Sequence, residues 1–256
     1  MIDLTFLGTG TSTGIPVIGC DCRVCTSPDP RDQRLRASVH LNVDGTSLLI
    51  DTSPDMRAQM LRANIRRIDG VLYTHMHADH TAGLDELRRY NILQQQRIPV
   101  WADPATGAEL EERFAYAFSS PFPYFGGKPD LDLTVFGGPF SALGVAVTPV
   151  PVMHGILPIV GFRIGDFGYV TDAKTIAPAS RDLLRGLDTL VITALRRTEH
   201  PAHMALDEAL AVIDDLRPKR AFLSHLGHEM GRHAEVEPTL PGHVRIAVDN
   251  LTVRIP

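Results

Sequence analysis

Residues 74–80 read THMHADH and follow the apolar run GVLY (70–73) without a break. His75 and His77 stand two apart, so on extended backbone their imidazoles project to the same side. Asp79 and His80 come next, where the chain turns into a helix. Four potential ligands this close together crowd a single cation and suit two adjacent ones. Such a pair needs more donors. His154 follows VTPVPVM, Asp172 ends FGYVTD and His225 follows RAFLS, each at the C-terminal end of an apolar run. Singly, each reads as well as a strand-end cap. Beside THMHADH, the three read as the remaining donors of one site.

A second cluster is GCDCRVC (19–25), which holds Cys20, Cys22 and Cys25, all the cysteines of the chain. Three thiols leave one over after any disulfide, and a closed tetrahedral metal site wants four ligands. His228, three residues beyond His225 in SHLGHEM, completes a Cys₃His set. That set predicts a structural zinc clamping the N-terminal loop onto the loop that presents His225. The competing reading, a redox-active thiol cluster, leaves the spacing from His225 unexplained.

The elements that must position these residues are short. Strand-like runs lie at 2–8, 38–44, 46–51, 70–75, 131–136, 144–152, 158–165, 167–171, 188–193 and 219–224. Asp44-Gly45 supplies hairpin chemistry between the second and third. Helical patterns cover 54–64, opened by Ser53-Pro54, then about 81–95, 104–118, 178–186 and 205–217. In the last, Leu206, Ala209, Leu210, Ile213 and Leu216 share one face. Residues 119–130 read as a long Pro/Gly/aromatic loop. Two similar halves of strands punctuated by helices predict an α/β (α+β) domain over 1–256, with two sheets face to face and helices outside. The chain of 256 residues is 44% hydrophobic and carries a net charge of −5. No run is long and apolar enough to span a membrane, and MIDLTFLGTG does not read as a signal peptide. The expectation is a cytoplasmic protein with no membrane and no extended nucleic acid as partner. LGTGTSTGIP contains G-x-G, but a cysteine loop follows it where a dinucleotide site needs a helix.

THMHADH resembles the H-x-H-x-D-H signature of metallo-β-lactamase-fold hydrolases, and His154, Asp172 and His225 match the later ligand positions in chain order. The resemblance implies an αββα sandwich of two mixed sheets with a two-metal site along one edge. Carried over, His75, His77 and His154 would hold one metal, Asp79, His80 and His225 the other, with Asp172 bridging. A bridging carboxylate holds two cations about 3.5–4 Å apart, and a water between them becomes a nucleophile near neutral pH. Asp79 can orient that nucleophile. The donor set suits zinc, with manganese and iron as alternatives. Two dications against Asp79 and Asp172 leave about +2, which favours an anionic substrate.

The opening LGTGTSTGIP, the G-C-x-C-x-x-C loop and S-H-x-x-H together resemble the PhnP-type phosphodiesterases, which open phosphoribosyl 1,2-cyclic phosphate. The implied function is hydrolysis of a small cyclic phosphodiester, using two active-site divalent metals, zinc or manganese, and one structural zinc. The resemblance also implies that His203 contacts the phosphate and protonates the leaving oxygen, with His200 as its rival. The stretch TALRRTEH (193–200) departs from that family and puts the exact ester in question. Arg88 or Arg89 could take a second anionic group, and Phe122, Tyr124 or Phe125 could cover a base or sugar. A homodimer is common for such folds. The rival functions are a ribonuclease Z-like RNA phosphodiesterase, a carboxylic ester or lactone hydrolase, and a non-enzymatic metal or redox sensor.

Overall fold

The structure, a computed structural model, describes residues 1–119 and 127–256. Its first sheet contains β1 (Ile2–Gly8), β2 (Ser38–Val43), β3 (Thr46–Ile50), β4 (Gly70–Leu72), β5 (Ile98–Ala102) and β6 (Leu131–Val135). The second contains β7 (Phe140–Ala142), β8 (Val145–His154), β9 (Leu157–Ile164), β10 (Phe167–Val170), β11 (Thr189–Thr193), β12 (Arg220–Ser224) and β13 (Val244–Ile246). The last strand, β14 (Thr252–Ile255), returns to the first sheet beside β1. Both sheets follow one plan. From β14 to β3 and from β7 to β10 every pairing is antiparallel. From β3 to β6 and from β10 to β13 every pairing is parallel. The parallel strands β4, β10 and β11 are buried along their whole length, as strands covered on both faces must be.

Three apolar clusters define the layers. Leu4, Phe6, Leu41 and Leu48 of the first sheet meet Phe162, Tyr169, Val191 and Phe222 of the second, so the sheets pack face to face. On the outer face of the first sheet lie α1 (Met56–Ala63), α3 (Arg88–Gln94), α4 (Pro104–Arg113) and α5 (Ala115–Phe118), while the short α2 (Ala78–Thr81) follows β4 in the chain. On the outer face of the second lie α6 (Pro178–Leu183) and α7 (Leu206–Leu216), with α8 (His233–Val236) further along the chain. Leu206, Ala209, Val212, Ile213 and Leu216 are the buried stripe of α7, and each large one contributes about 1.5–3 kcal/mol. The architecture is the expected αββα sandwich.

Several local expectations are corrected. Helix α1 starts at Met56, because Ser53 Oγ accepts the Asp55 amide and holds Ser53–Asp55 in a turn. The pattern at 81–95 breaks into α2, a 3₁₀ turn at Leu84–Leu87 and α3. Gly83 sits at that break, where a β-carbon would stand 2.0 Å from the Ser53 carbonyl oxygen. The 104–118 pattern splits at Phe114. Strands β5, β7, β13 and β14 have no counterpart in the sequence reading. The hairpin turn forms as expected, with Asp44 and Gly45 both at positive φ.

Candidate metal centre

The site lies beyond the C-terminal ends of strands from both sheets, where chains diverge and backbone groups face a cleft. Asp51 follows β3, Asp172 follows β10 and His225 follows β12. All three adopt left-handed backbone, with φ of 64°, 57° and 57°. Asp and His are among the few non-glycine types that tolerate this region. Tyr73–His77 leaves β4 before α2 carries Asp79 and His80.

Hydrogen bonds on the outward ring nitrogens orient three of the histidines. Asp51, fully buried, accepts His80 Nδ1–H at 2.7 Å and the Thr74 hydroxyl at 2.8 Å on Oδ2, and the Thr74 amide on Oδ1. The Thr74 hydroxyl in turn accepts His75 Nδ1–H at 3.0 Å. His154 Nδ1–H donates to the Ala202 carbonyl at 2.8 Å. Each bond leaves Nε2 free to ligate, the arrangement that fixes metal-binding imidazoles. His225 Nδ1 has no such partner among the described residues.

Inside the cleft the donors converge. His75 Nε2 and His77 Nδ1 are 3.0 Å apart, and the His77 and His154 ring centroids are 5.1 Å apart. One four-residue group has Asp79, His80, Asp172 and His225 within 4.8 Å of one another, and another joins His154, Asp172 and His203. Asp172 belongs to both: in the first, Oδ2 lies 3.2 Å from His80 Nε2 and Oδ1 3.1 Å from His225 Nε2, and in the second, Oδ1 lies 3.7 Å from His203 Nδ1. The Thr171 hydroxyl donates to Oδ2 at 2.5 Å. All seven residues expected as dinuclear ligands therefore meet at one place.

The donor set fits divalent metals. His80 Nε2 and His225 Nε2 are buried without a hydrogen bond and point at carboxylate oxygens. Burial works against charge on His80, yet Asp172, Asp51 and Asp79 hold it well above the ordinary histidine value. Burial would raise Asp79 and Asp172, but the surrounding imidazoles overcome it and hold both carboxyls low. Three carboxylates around one buried imidazole make a centre that attracts positive charge.

Cys20, Cys22, Cys25 and His228 form a separate group, their donor atoms within 4.8 Å of one another. The three Sγ atoms lie 3.3, 3.4 and 3.4 Å from His228 Nδ1. The Cys25 amide, bonded to Cys22 Sγ, leads the effects that bring that thiol down to about 6, while burial leads those that push Cys25 up to about 11. Four donors and no open position suit a closed tetrahedral site. The segment between His225 and His228 is held too: the Leu226 amide donates to Thr9, and the Thr11 amide donates to Leu226. The cysteine loop has further ties, from Arg232 to the Arg23 carbonyl and between Arg23 and Glu235.

The two candidate acids separate clearly. His200 Nδ1 accepts the amides of Ala202 and His203 at 3.2 Å each, so this ring organises the turn that presents the Ala202 carbonyl to His154. His203 instead stacks on His225 (5.1 Å) and packs at a tilt against His154 (4.4 Å), with Nδ1 3.7 Å from Asp172 Oδ1. Burial, with the neighbouring His225, brings His203 down to about 3. In the 193–200 stretch, Arg196 bonds the carbonyls of Thr198 and Glu199, and Arg197 bonds that of Met230. Arg88 pairs with Asp85 at 2.9 Å, and Arg89 lines a groove to which no metal-centre residue contributes. Phe122, Tyr124 and Phe125 lie outside the described residues. Sequence reasoning missed Asp51, Thr74 and Thr171; the only available signal was an Asp at the end of TSLLID.

The family described as Beta-lactamase superfamily domain matches residues 46–226. A Porphyromonas gingivalis (strain ATCC BAA-308 / W83) protein named octanoyltransferase is 40% identical over 250 residues, 96% of this chain and 50% of that protein. The chain thus spans about half the length of that curated relative. A crystal structure of a diphosphatase from the PhnP family is 38% identical, with a TM-score of 0.93, covering 100% of this chain and 98% of the other. Zn(2+)-bound PqqB from Methylobacterium extorquens and the short form of human tRNase Z share the fold at 19% identity each, with TM-scores of 0.80 and 0.71 and 99% of this chain covered in both.

Proposed function

The chain belongs to the beta-lactamase superfamily and, within it, to the PhnP family, and on that premise we propose that it is a metal-dependent phosphodiesterase acting on a small cyclic phosphodiester such as phosphoribosyl 1,2-cyclic phosphate. The observation that carries this reading is Asp172, one carboxylate shared by two groups of donors with His203 beside it. His75 Nε2, His77 Nδ1 and His154 Nε2 would hold one divalent metal, and Asp79, His80 and His225 the other, with Asp172 between them. A structural zinc would occupy Cys20, Cys22, Cys25 and His228. When bound, the two active-site cations supply Lewis-acid polarisation of the phosphoryl oxygens and an acidified water.

The protein's own groups do the rest. Asp79, held ionised by its imidazole neighbours, accepts a hydrogen bond and so orients the attacking oxygen. Thr171 fixes the rotation of Asp172. His203 is neutral at pH 7 in the free site, so it binds a phosphoryl oxygen through a ring N–H. An anionic ester beside it raises its proton affinity, so the ring takes up a proton from solvent and, as imidazolium, gives it to the leaving oxygen. The test is turnover of phosphoribosyl 1,2-cyclic phosphate by metal-loaded protein against a chelated control. Efficient, metal-dependent ring opening supports the proposal; no turnover by protein with both metal centres filled overturns that substrate.

The identity to the protein named octanoyltransferase favours a second reading, hydrolysis of a fatty acyl ester or thioester at the same centre. Parallel assays of bis(p-nitrophenyl) phosphate and octanoyl thioesters separate the two. Thioester turnover exceeding phosphodiester turnover would favour the second.

A further inference from the structure

Between α1 and the segment formed by the 3₁₀ turn at Leu84–Leu87 and α3 lies a groove of about 330 Å³, at the small end of the range of ligand sites. Its floor is apolar: Met56, Met60 and Tyr90 line it and are all buried. Its lips are Leu61 and Leu93, 66% and 51% exposed, large side chains for such open positions. Arg57, Arg66 and Arg89 stand around it with one carboxylate, Glu86. None of the three arginines forms an ion pair among the described residues, and Arg66 bonds only the Asn64 amide oxygen. Most other arginines have acidic partners, and Arg163, Arg197 and Arg232, which have none among the described residues, bond backbone carbonyls. Among the described residues, Arg217 alone shares with Arg57, Arg66 and Arg89 the lack of both. A chain with net charge −5 has acid to spare, yet concentrates unpaired cations around an apolar hollow.

We propose that this groove binds a soluble single-chain amphiphilic anion, with its alkyl or aryl tail over Met56, Met60 and Tyr90 and its carboxylate or phosphate among Arg57, Arg66 and Arg89. Apolar burial supplies the attraction for the tail, and planar guanidinium donors match a carboxylate or phosphate bidentately. Concavity favours a single short chain over a bilayer face, because the buried methionines form a floor and do not project. The position is consequential: α1 begins five residues after Asp51, and the 3₁₀ turn begins four residues after His80.

The test is a titration of metal-loaded protein with octanoate and octyl phosphate below their micellar range, read from the ¹³C-methyl signals of methionine. Met56 and Met60 report the groove, while Met76, between His75 and His77, reports the metal centre. The expected result is saturable shifts at Met56 and Met60 with both anions, and at least about tenfold weaker shifts with octanol or acetate, which each lack one half of the recognition. R57Q with R89Q should weaken octanoate binding about tenfold or more and leave the thermal midpoint of these exposed sites unchanged. Shifts confined to Met76 would mean that the carboxylate binds only the metals, and would overturn the proposal. So would shifts insensitive to R57Q/R89Q, response to anionic vesicles alone, or occupation of the face by a second copy in sedimentation experiments. A failed cyclic-phosphate assay would leave the Met56 and Met60 result untouched.

Discussion

Asp51→Asn is the most informative single change. The carboxylate is not itself a proposed metal ligand, yet it sets the tautomer of two imidazoles. It accepts Nδ1–H of His80 at 2.7 Å and, through the Thr74 hydroxyl, fixes His75. An asparagine retains one acceptor for the Thr74 amide but turns an NH₂ toward His80 and Thr74. His80 Nδ1 must then accept, which moves its proton to Nε2, the atom facing Asp79 and Asp172. Losing such an orienting partner costs about 10–100-fold in metal affinity or activity, or about 1.4–2.8 kcal/mol per imidazole. D51N disturbs both branches and should weaken binding at both active-site positions. Thr74→Val disturbs only the His75 branch and should show about half that free-energy loss. The assay is metal content by mass spectrometry after equilibration with graded chelator, with the circular dichroism of the apo protein confirming the fold. Retention of both active-site metals by D51N with wild-type affinity would refute the argument.

Other outcomes follow from the same geometry. His203→Ala should lose about 10²–10⁴-fold in kcat while keeping its metal content; equal loss of both would make His203 a ligand. Cys22→Ser should lose one metal per chain, lower the melting temperature and reduce kcat through the loop carrying His225; unchanged metal content would rule out a Cys₃His site. His40, buried on β2 and bonded to Ser47, is brought by burial from 6.5 to about 4. The unfolded chain therefore takes up a proton below pH 6.5 that the folded chain refuses until about pH 4. Stability is lost as pH falls through that window, by about 3 kcal/mol at the bottom. In apo protein, His40→Gln should flatten this part of the denaturation-midpoint profile, and an unchanged slope would count against it.

The metal centre was legible because ligand chemistry restricts residue types. Only His, Asp and their like can occupy positions 75, 77, 79 and 80, and such side chains rarely cluster for any other reason. The Cys₃His group was legible for the same reason, since three soft donors need a fourth. Hydrogen-bonded support was not. Asp51 looks like any strand-end cap in TSLLID, and Thr74 and Thr171 are ordinary β-branched residues just beyond β4 and β10. Only the three-dimensional return of β3 beside β4 brings Asp51 under His80. Strand β5 was hidden by Pro99, which argues against a central strand. The break at Gly83 depends on contact with Ser53, thirty residues earlier, to which no local periodicity can point.

The ownership of the donors has a mechanical consequence. His75, His77, Asp79 and His80 come from the first sheet, while His154, Asp172 and His225 come from the second. Each proposed cation would therefore be a rivet through the seam between the two sheets. Prying the sheets apart would release both ions, so occupancy and seam opening become linked equilibria. At free metal one hundred times the dissociation constant, each rivet adds about 2.7 kcal/mol against opening. Scarce metal would loosen the whole sandwich as well as silence the site, and amide exchange along β10–β12 would accelerate before the protein melts.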